Sequence, residues 1–372
     1  MGEVKQPARV VPPGRILKRE LEARGWTQKD LAEILGRPQQ AISEIVGGEK
    51  QITPETAIQF GQAFDTSPEF WMNLETNYQL FLSRQKVNPS DIQRKSRLYS
   101  LAPVPQLIKR GWIRSSSSLE ELEAEVCRFL RISSVEETPS LTFSRRHSQD
   151  RGPQLSAQVA WARRVEQLAQ EQAVSEFKLE TFEKAIPRLV ALTGRAEDVA
   201  QVPHILMDLG VHFVIVPPLP QTYIDGAAFY IEDHPVVALT LRYDRIDAFW
   251  FTLMHEIAHI VLGHAESLDT NLYGSEELER TDIGQEEIEA NTFAQNWLVD
   301  RDLLNAFVRT RKPYFSQSDV VHFANSLSRH PGIVLGQLHK VRAVGYQHLR
   351  RLLVKVTPHL QQWIDVSSPQ AV

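Results

Sequence analysis

Apolar residues recur along the first eighty positions at helical spacing. Ile16, Leu17, Leu21 and Ala23 begin one amphipathic segment after Pro12-Pro13-Gly14. Thr27 stands as an N-cap before the run from Gln28 to Leu35, which Gly36 breaks. Pro38 suits a first helical turn, because its missing N–H would be unbonded there anyway. The helix it opens turns Ala41, Ile42 and Ile45 inward and ends at Gly47-Gly48. Thr53-Pro54 and Ser67-Pro68 open two more, carrying Ala57, Ile58, Phe60, Ala63 and Phe64, then Phe70, Trp71 and Leu74. The pattern predicts a bundle of short helices over residues 1–80.

Residues 81–190 read as a mostly helical connector without chemistry of its own. Gln85 to Arg97 is polar and solvated. Ser115 to Ser118 precede Leu119, Leu122, Val126 and Leu130, a capped amphipathic helix, and Gln154 to Gln172 forms another. From about residue 195 the period changes. A helix from Glu197 to Leu209 ends at Gly210, and the β-branched run Val211 to Val216 predicts a strand. Gly226 to Ile231 and Pro235 to Leu241 predict two more, parted by Glu232-Asp233-His234. Asp247 can cap a helix from Ala248 to about Gly263, and a second helix runs from about Gln285 to Leu298. The fold class is α+β. An all-α domain (1–80) and the connector (81–190) precede a domain with a small sheet (191–300) and a helical C-terminal region (301–372).

Composition narrows the function classes. With 42% hydrophobic and 23% charged residues the chain is globular, neither fibrous nor low-complexity. One cysteine, Cys127, excludes a disulfide framework and a thiolate-rich zinc site, and fits a reducing compartment. No run approaches the ~18 apolar residues that span a bilayer, and Met1 to Gly14 lacks the apolar core of a signal peptide. The sequence therefore reads as cytoplasmic, with no membrane partner. A net charge of −5 means that any nucleic-acid site is local.

The chemistry concentrates in His255-Glu256-Ile257-Ala258-His259. Spacing of four puts both imidazoles on one helical face, close enough to share a metal ion. Glu256 lies about 100° round the helix, where it can touch a water without ligating the metal. Phe249, Trp250, Leu253, Met254, Ile257, Ile260, Val261 and Leu262 make this helix apolar nearly all round, hence buried. A catalytic zinc wants a third protein ligand, and the helix after it offers Glu286, Glu287 and Glu289. With Phe293, Ala294, Trp297 and Leu298 as its buried side, periodicity favours Glu286 and Glu289 over Glu287 without deciding between them. His264, five after His259, falls off the ligand face and fits a capping or supporting role.

The run from Asp247 to His264, followed by Glu289-Ala290-Asn291-Thr292-Phe293-Ala294, resembles the ImmA/IrrE family of metallopeptidase-like domains. So do Gly210 to Val214, Pro217 with Leu219-Pro220, and Tyr243-Asp244-Arg245. The resemblance covers about residues 195–300. It implies a zincin-like fold, Zn2+ held by His255, His259 and Glu289, and Glu256 as general base. Glu256 then takes a proton from a zinc-acidified water and returns it to the leaving amine. Tyr273 and His330 are candidates for the oxyanion partner. The strand Pro235 to Leu241 offers its edge to an extended chain, so the substrate is a protein segment; several members of the family cut a helix-turn-helix repressor. Ser328 to Val334 resembles a tail found in members fused to a DNA-binding domain.

The first eighty residues resemble the XRE-like helix-turn-helix class, in particular its HigA antitoxin branch. The matching residues are Leu17, Thr27-Gln28, Leu31-Ala32, Gly36, Gln39-Gln40, Ile42-Ser43 and the run from Ser67 to Leu74. That resemblance implies a double-stranded DNA operator. The helix from Pro38 enters the major groove, Gln39, Gln40 and Ser43 face bases, and Gln28 holds a phosphate. Residues 1–50 carry nine Lys/Arg against seven Asp/Glu, and Glu44 sits on the recognition helix. So thin a basic surplus predicts reliance on a homodimer. Two functions are consistent with the sequence. One is a DNA-binding regulator whose zinc metallopeptidase cuts a repressor or antitoxin. The other is a HigA-like antitoxin or repressor whose peptidase fold is a non-catalytic sensor or dimerisation module.

Overall fold

The computed structural model describes residues 10–86, 89–139, 153–264, 267–270 and 284–365. It divides into two compact units, residues 1–94 and 95–372. The first unit holds α1 (Pro13–Arg24), α2 (Gln28–Leu35), α3 (Gln39–Gly47), α4 (Pro54–Phe64) and α5 (Pro68–Lys86). Thr27 and Asp30 form a reciprocal cap on α2. Asp30 N donates to Thr27 Oγ1 at 3.2 Å, and Thr27 N donates to Asp30 Oδ2 at 2.8 Å. Those bonds to Thr27 hold the Asp30 carboxyl below its ordinary value. Gly36 ends α2 in the left-handed region (φ 62°), a conformation that glycine adopts without a Cβ penalty. Pro38 is the N-cap of α3, so that helix begins one residue later than its sequence implies. Leu17, Leu31, Ile42, Ile45, Phe60, Phe64 and Trp71 make the core. The Trp71 indole N–H donates to Thr66 Oγ1 at 2.9 Å.

The division falls within α6 (Pro89–Leu101); in the second unit α7 (Val104–Lys109), α8 (Leu119–Leu130), α9 (Pro153–Gln170), α10 (Leu179–Ala191) and α11 (Val202–Asp208) precede the sheet. The stretch read as a solvated connector, Gln85 to Arg97, is largely helical. The helix anticipated from Glu197 is a 3-10 turn up to Gln201 and α-helical only from Val202. Strands β1 (His212–Ile215), β2 (Ile224–Ile231), β3 (His234–Leu239) and β4 (Ser267–Thr270) lie in the order β1-β3-β2-β4. β1 runs parallel to β3, and the other pairs are antiparallel. β3 therefore lies inside the sheet with a partner on each side, and the expected free edge at Pro235 to Leu241 does not exist.

Side chains alternate between the two sheet faces, as the pleat requires. Phe213, Ile215, Ala228, Val237 and Leu239 point into the core built with α12 (Ile246–Val261), α13 (Gln285–Leu298), α14 (Arg301–Arg311), α15 (Gln317–Ser326) and α16 (Pro331–Lys340). Val214, Val216, Ile224, Ala227, Phe229, Val236 and Ala238 point into a second core with Leu107, Val126, Phe129, Trp161 and Val165. Both flanks of the chain, the segment read as a connector and the C-terminal helices, thus pack with the sheet. Asp247 does not cap α12. It lies in the first turn, buried, and pairs with Arg245 at 2.9 Å. The Ser328–Val334 tail acts as a clasp. Arg329 Nε donates to Leu298 O at 2.9 Å, and His330 Nδ1 accepts from Gly332 N at 3.0 Å as the N-cap of α16. Among the described residues no helix is long and apolar enough to cross a membrane.

Candidate metal centre and nucleic-acid interface

Every residue of α12 from Ile246 to Ile260 is buried. His255 and His259 are fully buried, one turn apart, with Nε2 atoms 3.1 Å from each other. Their partner from α13 is Glu287. Its carboxylate oxygens lie 3.4 Å from His255 Nε2 and 3.7 Å from His259 Nε2. Among the described residues these three offer donor atoms all within 4.8 Å of one another. Two ligand atoms about 2.0–2.1 Å from one tetrahedral zinc are separated by roughly 3.3 Å. The observed spacings bracket that value, and two imidazoles with one carboxylate are a donor set that suits zinc. The residues present therefore fit the ion.

Glu289, the residue selected by family resemblance, points elsewhere. Its carboxylate is 3.3 Å from His264 Nε2 and accepts from Gln285 Nε2 at 2.8 Å, and the side chain is 44% exposed. The cause is the true inward face of α13. Ala290, Ala294 and Leu298 are buried at spacing four, whereas Phe293 and Trp297 are only partly buried. Small alanines let α13 lie close to α12, and Glu287, three residues before Ala290, shares their face. The large aromatics had drawn the inferred face round toward Glu289. His264 meets Glu289 instead of joining the imidazole pair. His330 serves as a helix cap, and Tyr273 lies outside the described residues.

Glu256 is fully buried beside the two histidines in sequence, and it faces the sheet. Its position depends on Gly226, which pairs with Leu239 on the α12-facing row of β2. A methyl group on Gly226 would lie 2.1 Å from Glu256 Oε1 and 2.8 Å from Thr252 Cγ2. Only a residue without a side chain leaves the carboxylate its place. Gly226→Ala is expected to destabilise the second unit by about 1–3 kcal/mol through overpacking, visible as a lower urea midpoint, while the 1–94 unit melts as before. The sequence showed this glycine only as the start of a strand. Lys340 was missed as well. Its ammonium sits 3.7 Å from the Phe251 ring centroid and 3.4 Å from Asn291 Oδ1. Packing of the ammonium against the ring lowers its pKa, although the residue as a whole is exposed. Phe251 lies one turn before His255, and Asn291 one turn after Glu287.

In the other unit α3 presents Gln39, Gln40 and Ser43 to solvent, and Gln28 is half-buried at the start of α2. Glu44 is engaged within its own helix and loop. It accepts from Gln40 Nε2 at 3.0 Å and lies 3.9 Å from Lys50 Nζ.

The comparisons with known proteins divide at the same place. Residues 17–71 match the helix-turn-helix family model, and residues 207–323 match that of the IrrE N-terminal-like domain. An HTH-type transcriptional regulator of Haemophilus influenzae is 42% identical over 69 residues, which cover 18% of this chain and 64% of that protein. The chain thus spans a little under two thirds of that relative. Antitoxin HigA-1 of Vibrio cholerae is 35% identical over 83 residues, 22% of this chain and 78% of that one. The chain belongs to the XRE-type helix-turn-helix family and carries an IrrE N-terminal-like domain. A solved HigA-family antidote protein from Coxiella burnetii is 34% identical, covering 21% of this chain and 86% of its own, with a TM-score of 0.21. Each of the three covers about a fifth of this chain. The IrrE-like domain match includes both histidines, Glu256 and Glu287.

Proposed function

We propose that the chain is a DNA-binding transcriptional regulator whose IrrE-like domain is a zinc peptidase acting on a regulatory protein of repressor or antitoxin type. One observation carries the reading: His255 Nε2, His259 Nε2 and a Glu287 oxygen converge at the spacing of ligands around one ion. Zinc, when bound, supplies Lewis acidity toward water and toward a carbonyl oxygen. Glu256, buried and held against Gly226, accepts the proton of the attacking water on its carboxylate and delivers it to the leaving amine nitrogen. The test is incubation of the zinc-loaded full chain with helix-turn-helix repressors, its own 1–94 unit included. Discrete fragments that disappear on chelation and return with zinc are expected. Intact substrates throughout would sink the peptidase reading.

The complete burial of His255, Glu256 and His259 favours a second reading, in which the IrrE-like domain binds zinc but senses rather than cuts. A stable stoichiometric complex with a partner protein, without fragments, distinguishes it. For either reading α3 is the base-reading helix. Gln39→Ala is expected to weaken binding to a preferred duplex by about 1–3 kcal/mol and to relax preference at one position. Gln28→Ala is expected to weaken all duplexes alike. Fluorescence anisotropy on duplexes selected from a random library and on scrambled ones separates the two effects. A homodimer supplies the affinity that the thin basic surplus of one copy lacks.

A further inference from the structure

A cavity in the second unit is lined by a chemistry unlike that of the imidazole pair. It has a volume of about 720 Å3, within the range of small-molecule sites, roughly 300–1,000 Å3. Its walls are the end of α7, the loop that joins β1 to β2, and Arg242 beyond β3. Three cationic side chains line it, Lys109, Arg110 and Arg242, with Asp365 as the one acidic lining residue.

Asp365 contributes little charge to that space. Arg164 grips it with Nε at 3.0 Å and Nη2 at 2.8 Å, and the Trp112 indole N–H donates to it at 2.9 Å. Arg110 is fixed by two carbonyl oxygens, those of Pro217 and Pro218, each at 2.6 Å, and lies 5.0 Å from the Trp112 ring centroid. Burial pushes its pKa down, and the Asp365 carboxylate opposes that shift. Arg242 lies over the Tyr223 ring at 5.0 Å and donates to Tyr223 O at 3.3 Å. Its guanidinium is 3.9 Å from Asp225 Oδ1. Lys109 is exposed at the rim and makes no ion pair among the described residues. The wall is also conformationally costly. Gln221 (φ 64°), Tyr223 (φ 56°) and, beside Arg242, Leu241 (φ 51°) occupy the left-handed region that such side chains rarely adopt.

Cations held in fixed positions around a concave space, with the one lining carboxylate already paired by Arg164 and Trp112, form an anion receptor. We infer that this cavity binds a small anionic molecule bearing phosphate or carboxylate groups, which bridge Lys109, Arg110 and Arg242. The site stands apart from the imidazole pair and does not depend on peptidase activity.

Calorimetric titration of the full chain with inorganic phosphate, ADP and succinate tests it. Saturable binding of at least one probe is expected, weakened at least tenfold by Lys109→Glu and by Arg242→Gln and kept by Lys109→Arg. Preference for the phosphates over succinate, or the reverse, identifies which group the site takes. Lys109 is exposed, so its variants fold, and circular dichroism verifies this for Arg242→Gln. Two results would overturn the inference. One is no saturable heat with any probe at millimolar concentration; the other is binding indifferent to Lys109→Glu and Arg242→Gln, which places the anion elsewhere, for example on the helix-turn-helix unit.

Discussion

Glu287→Ala is expected to weaken zinc binding by at least ~100-fold, leaving purified protein nearly metal-free, whereas Glu289→Ala retains the ion. Glu287 supplies the oxygen that lies 3.4 Å and 3.7 Å from the two imidazole nitrogens. Its loss leaves two donors where a zinc site uses three protein ligands and an open position. Glu289→Ala loses only the contacts with His264 and Gln285, at a half-exposed position. His264 is not one of the three converging donors, so that loss leaves the ligands of the ion in place. Metal analysis of the purified variants, followed by titration against a chelator of known affinity, separates the two residues. The reverse ranking, zinc lost with Glu289→Ala and kept with Glu287→Ala, would restore the assignment by resemblance.

Glu256→Gln is expected to slow cleavage by roughly 10²–10⁴-fold, the usual contribution of a positioned general base. The amide matches the carboxylate in size, which matters because Gly226 leaves no spare room at that spot. The variant keeps both imidazoles and Glu287, so its zinc content stays at the wild-type level. Duplex binding, carried by residues 1–94, is likewise expected to be unchanged. Cleavage rates of the variant within a few fold of the parent would remove Glu256 from the proton transfer.

Much of this arrangement was legible in the sequence because its signals are local. The Thr27 cap, the glycine stops after α2 and α3, the strand runs and the His-x-x-x-His spacing each need only a few neighbours to be interpreted. What escaped was set by tertiary contact. The inward face of α13 is marked by alanines, whose burial says little in sequence, while Phe293 and Trp297 mark its shoulder. Pairing β4 against β2 depends on a short segment with little pattern of its own. The packing of Gly226 on Glu256 joins residues thirty apart in the chain, and no periodicity foretells it. Asp247 looked like a cap because of its type and place; Arg245 instead engages it inside the first turn.

The two-sided sheet has a practical corollary for anyone dissecting the chain. A fragment cut to begin at residue 195, where the motif-bearing part starts, would strip away the layer formed by Leu107, Val126, Phe129, Trp161 and Val165. Val214, Val216, Ile224, Phe229 and Val236 would then meet water as one continuous greasy wall. Such a truncation invites aggregation, and a silent assay on it would report the missing wall rather than the chemistry of the imidazoles. A dissection that keeps α6 whole starts at Pro89 and retains the residues through 365.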